Sequence, residues 1–97
     1  MRLSVVVSDA TVYLDGVPMM GLDLSCVPAD VHAFQWYGDK GEIEFIAGDT
    51  KPANASVSEL PSWTEQAIQK WNEAKQAKDA EEAHFAAVRA AILEARA

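Results

Sequence analysis

The chain has 97 residues, 49% of them hydrophobic and 24% charged, with a formal net charge of −7. That length holds one domain, or one small domain with an appendage. The acidic balance lacks the Lys/Arg clusters that phosphate binding requires, and no run of 18 apolar residues occurs, so neither nucleic acid nor a membrane is an expected partner.

Residues 2–7 alternate, with Leu3, Val5 and Val7 on one face, and their β-branched side chains favour a strand. Residues 11–14 lead into Asp15-Gly16, a type I′ turn signal, and then into residues 17–20, which predicts a hairpin. Pro18 cannot donate to a ladder, so the returning strand is expected at an edge. Residues 22–28 read as a connector whose leucines, Leu22 and Leu24, plug the core. A further strand is predicted over 31–37, with His32, Phe34 and Trp36 on one face and Val31, Ala33, Gln35 and Tyr37 on the other. Gly38-Asp39-Lys40-Gly41 turns it onto residues 42–46, whose Glu/Ile/Glu/Phe alternation marks one wet and one packed face. The expected fold class is α+β: a small antiparallel meander of four to five strands followed by one long C-terminal helix.

Residues 47–61 are rich in turn formers and read as a loop or linker anchored by Val57 and Leu60. Residues 1–61 thus form an acidic β head, with three basic against nine acidic side chains and a net charge of −6. Residues 62–97 contain no glycine and no proline but eleven alanines. They begin at Ser62-x-x-Glu65, a capping box, and predict one helix roughly 54 Å long at 1.5 Å per residue. A 61-residue head offers no room to bury that length. Trp63, Ala67 and Trp71 recur at helical spacing and suit docking on the head. From Trp71 onward the spacing becomes a heptad a/d series: Trp71, Ala74, Lys78, Glu81, Phe85, Val88, Ile92, Ala95. Lys78 and Glu81 interrupt that seam. The first half of the helix is therefore expected to dock and the second half to project, with the apolar end around Phe85, Val88, Ile92 and Leu93 seeking a partner or a second copy.

Little in the chain points to catalysis. There is no HxxxH, CxxC or Asp-x-Asp-x-Asp-Gly pattern for a metal, and the five glycines are scattered, without a phosphate loop. Cys26, Asp30 and His32 lie close in sequence, but a catalytic set is recognised by geometry, and a small apolar thiol beneath a loop is the simpler reading. Glu42 and Glu44 read as a solvated strand face rather than an acid/base pair. No catalytic residue, metal or cofactor is expected. The apolar start is too short for a secretory signal and is cut off by Asp9, and the single cysteine suits a reducing cytoplasm. Trp36 and Tyr37 are the expected contact aromatics of the head, since Trp and Tyr are enriched at interface hot spots.

Gly21-Leu22-Asp23-Leu24, the run Val31-His32-Ala33-Phe34-Gln35-Trp36-Tyr37-Gly38, then Gly41-Glu42-Ile43-Glu44-Phe45, Leu60-Pro61 and Trp71 together resemble a group of small proteins of tailed phages and prophages. The resemblance covers roughly residues 12–72. It implies a non-enzymatic tail-fibre assembly chaperone or accessory protein, working in the cytoplasm of the bacterial host or retained in the virion. The implied partner is a tail fibre, an intertwined trimer whose tip exposes apolar surface while folding. Two other classes fit a small acidic chain: an inhibitor of a host protein, and a homo-oligomeric structural component held by its helix.

Overall fold

The computed structural model describes residues 1–47 and 52–96. Within them lie strands β1 (Leu3–Val6), β2 (Thr11–Leu14), β3 (Val17–Met19), β4 (Val31–Trp36), β5 (Gly41–Phe45) and β6 (Ala55–Val57), followed by helix α1 (Thr64–Arg96). The fold class is α+β, with six strands in place of the expected four to five, all pairs antiparallel.

The β2–β3 hairpin turns where the sequence places it. Asp15 and Gly16 have φ of 49° and 84°, the two positive values that a type I′ turn demands. The Asp15 carboxylate also accepts from the Arg2 amide at 2.8 Å, pinning the hairpin tip to the start of β1. β3, with Pro18, is an edge strand as expected.

The sheet is not one meander. Its order is β3-β2-β1-β4-β5-β6: two three-stranded meanders joined along β1 and β4. The connector over 20–30 carries the chain past β1, and β4 zips onto its free side with Leu3 opposite Trp36 and Val5 opposite Phe34. The linker expected over 47–61 also needs correction. Residues 55–57 pair with β5 as β6, placing Val57 opposite Gly41 on the core side, and Asn54 donates to the Glu42 carboxylate at 3.0 Å.

Two rows of side chains build the core face. One runs Met19, Val12, Val5, Phe34, Ile43, Ala55; the next runs Val17, Leu14, Leu3, Trp36, Gly41, Val57. Leu24 and Val27 from the connector close one end, with Leu22 and Cys26 packed against them. The alternation read for β4 fails at its start. A bulge between Val31 and Ala33 makes His32 an extra residue, so Val31 rather than His32 joins Phe34 in the core. At the other end, Trp36 lies over Gly41. A Cβ at residue 41 would stand 2.8 Å from Cε3 of Trp36 and 2.7 Å from the Gln35 carbonyl oxygen.

The helix starts one residue later than the capping box implies, since a Ser62 cap would make Trp63 the first helical residue. Residues 61–64 form a turn: the Thr64 amide and hydroxyl both bond to the Pro61 carbonyl, at 3.0 and 2.6 Å. The Glu65 amide bonds to the Ser62 carbonyl at 3.4 Å, so the Ser62 hydroxyl does not serve as the cap. Thr64 and Ala67 are both buried in this first turn.

α1 crosses the strands. Trp63 packs edge-on against Phe34 of β4, ring centroids 5.4 Å apart, while the Trp71 indole N–H donates to the Val17 carbonyl of β3 at 2.8 Å. Eight residues of helix rise about 12 Å, close to the roughly 14 Å that three strand spacings cover from β4 to β3. The helix therefore leaves the sheet over its β3 edge. The molecule measures 66 × 28 × 17 Å, with a radius of gyration of 18.1 Å, against about 13 Å for a compact chain of this size.

Candidate functional site

Two surfaces are left uncovered. The first is the face of the sheet opposite the helix. Strand register lines up Pro18, Tyr13, Ser4, Gln35, Glu42 and Ser56 across all six strands. The Ser4 hydroxyl bonds to Gln35, tying β1 to β4 on this side. Arg2 stacks over the Tyr37 ring, 5.8 Å from its centroid, and a shallow concavity of about 460 Å³ opens between Arg2, Ser4, Tyr13, Asp15 and Gly16. Tyr37 is 52% exposed. Tyr37 also borders a second depression with Lys40 and Glu42, and Glu42 is exposed and accepts from Asn54.

The second surface is the helix beyond Lys75. Every described residue from 76 onward is exposed. Phe85, Val88, Ile92 and Leu93 stand out of the helix at 54%, 41%, 48% and 61% exposure. Helical spacing places Phe85, Val88 and Ile92 on one line.

The expected contact residues divide accordingly. Tyr37, Phe85, Val88 and Ile92 are on the surface, but Trp36 is not. It is 6% exposed and packs beside Phe34 with centroids 6.5 Å apart. The two neighbours in sequence sit on opposite faces of β4, so only Tyr37 reaches solvent. The missed residues are Arg2 and Tyr13. Their signal lay in the strand period, which puts Arg2 and Ser4 on the face away from Leu3 and Val5, but the meeting of Arg2 with Tyr37 needed the β1–β4 pairing. The three docking residues meet the sheet: Ala67 is fully buried, and Trp63 and Trp71 are half-buried with the contacts given above.

Charge chemistry is sparse. Among the described residues no three His, Cys, Asp or Glu side chains gather in a metal-binding group, and Cys26 is a free thiol packed against the core. The Asp23 carboxyl is held below its usual range. The Ser25 amide donates to it at 3.0 Å and the Ser25 hydroxyl adds to this; desolvation acts the other way, and the Lys70 charge makes a smaller favourable contribution. No helix among the described residues is long and apolar enough to cross a membrane. Family models, curated proteins and solved structures give no match to this chain.

Proposed function

We propose that this protein is a non-enzymatic binding factor that works through protein–protein contact, as an assembly accessory of a phage or prophage tail fibre. The observation that carries the reading is the projecting helix. Three apolar side chains, Phe85, Val88 and Ile92, are aligned on a segment for which the head has no surface to offer. An aligned apolar stripe of this kind on a charged helix marks an interaction site. The tail-fibre assignment rests on the resemblance of the hairpin over 31–45 to proteins of tailed phages.

The two surfaces suit different tasks. The open sheet face, with Arg2 and Tyr13 lining a concavity and Tyr37 beneath Arg2, offers an aromatic patch for a folded fibre segment. The helix end offers apolar cover for a client whose own apolar surface is not yet packed. The net charge of −7 keeps such a chain soluble while it exposes that stripe. The site of action that follows is the bacterial host cytoplasm.

Co-expression with the fibre protein encoded beside it tests the reading. The soluble yield of the fibre protein should rise, and a complex should elute on size exclusion. Replacing Phe85 and Ile92 with serine should cut that gain at least severalfold without unfolding the head. An unchanged fibre yield together with no complex overturns it.

A further inference from the structure

The apolar stripe beyond Lys75 continues the line by which the helix docks. At 100° per residue, Ala67, Trp71, Ala74, Phe85, Val88 and Ile92 all fall within an arc of about 100°. The lower part of this line presses on the sheet, where Ala67 is fully buried and Trp71 bonds to Val17. The upper part therefore looks into the layer that the sheet itself occupies, just past the edge of β3. A helix packs 8–10 Å from its neighbour, close to the spacing between packed layers, so another helix fits into that layer where the sheet ends.

The same geometry restricts how a second copy can lie there. A parallel copy would bring its own docked segment and sheet to the level of Ala67 and run into the first sheet. An antiparallel copy avoids this if the overlap is confined to residues 76–96. In the heptad register allowed by that overlap, Phe85 lies opposite Val88 of the second copy, and Val88 opposite its Phe85. Glu82 then faces Arg89 of the second copy, and by symmetry the pair forms twice. Among the described residues the ion pairs within the helix are Lys70–Glu73 and Lys75–Asp79; Glu82 and Arg89 belong to neither. They stand seven residues apart, too far along the helix to pair with one another. Lys78 and Glu81, which break the heptad series, fall at the ends of the overlap, where long stems can lie along Ile92 and Ala95 while the charges reach water.

We propose that the projecting segment pairs antiparallel with the same segment of a second copy, forming a two-fold dimer centred on Phe85 and Val88 with Glu82–Arg89 ion pairs on its flanks. Such an interface is isologous, so it closes at two chains. It places the two heads at opposite ends of a rod with both open sheet faces free. The proposal rests on reading the stripe as a protein contact and names its occupant in the absence of a fibre.

Light scattering on the purified full chain over a concentration series tests it. The wild type should weigh twice the 10.5 kDa of one chain. Glu82→Arg should weaken association by about tenfold, the order expected when two exposed attractive pairs become repulsive. The double variant Glu82→Arg/Arg89→Glu should restore it, because an antiparallel pairing exchanges the two charges. Far-UV circular dichroism checks that each variant stays folded. A wild type that remains at the single-chain mass overturns the pairing, as does a double variant no tighter than Glu82→Arg. If the single-chain mass persists while the fibre still binds, the pairing fails and the protein-contact reading stands.

Discussion

At the scale of single residues, Gly41 and Asp23 do the most with the least. Gly41 opens β5 where the Trp36 indole and the Phe34 ring both crowd its α-carbon. Its φ is ordinary; what requires glycine is the lack of space for a Cβ, 2.7 Å from a backbone oxygen that cannot rotate away. Gly41→Ala is expected to cost about 1–3 kcal/mol, the range for forcing a carbon into a packed site. Urea unfolding should show a lower midpoint at an unchanged slope. Asp23 works through charge. Its folded pKa lies below the ordinary value of 3.8, so its contribution is fully present above that value and fades as pH falls through the folded pKa. Asp23→Asn should therefore lower stability at neutral pH, and its difference from wild type should shrink below about pH 4. Thermal melts at pH 3 and pH 7 check this, and an equal difference at both values would sink it.

At the scale of elements, the helix is two devices in one uninterrupted hydrogen-bonded rod. Thr64 to Lys75 covers the sheet, anchored at Phe34 by Trp63 and at Val17 by Trp71. Beyond Lys75 the same rod has no surface beneath it. Its alanines keep it helical through propensity, and ion pairs such as Lys75–Asp79, 2.6 Å apart, add a few tenths of a kcal/mol each. Among the described residues, truncation after Lys75 removes only exposed ones. It should leave the thermal midpoint of the head within a few degrees of the full chain, while abolishing self-association. A head that unfolds on truncation would show that the projecting segment contributes to its core. The strands divide similarly: β1 and β4 carry the largest buried side chains, whereas edge strands β3 and β6 have three residues each. Short edges limit unwanted pairing with other chains.

At the scale of the whole molecule, the 66 Å length comes from the helix running across the strands instead of along them. The sheet is about 29 Å wide over six strands, and some 33 Å of helix continues past β3; together these account for most of the long axis. A helix aligned with the strands would have projected from the sheet ends and left both edges clear. The crossing geometry instead brings the apolar stripe alongside the sheet plane, which is what makes an antiparallel second copy fit and a parallel one collide.

The sequence by itself determined the local pieces. The Asp15-Gly16 turn, the edge position of Pro18, the apolar faces of β1 and β5, the docking trio Trp63, Ala67 and Trp71, and the long helix all follow from short-range rules. Turn dihedrals, strand alternation and helical spacing act within a few residues of one another. Other features depended on partners far along the chain. The β1–β4 pairing joins residues some thirty positions apart; it brings Tyr37 to Arg2, makes the sheet two joined meanders and, with Gly41 of β5, places Trp36 in the core. β6 was hidden because residues 55–57 become a strand only when β5 offers a free edge. His32 left the core because the β4–β5 register absorbs an extra residue there, which alternation within one strand cannot reveal. The start of α1 lies at Thr64, where the buried Thr64 bonds through amide and hydroxyl to the Pro61 carbonyl, a contact the capping-box pattern does not contain. Local chemistry thus chose the elements, and long-range burial chose which of their faces remained exposed.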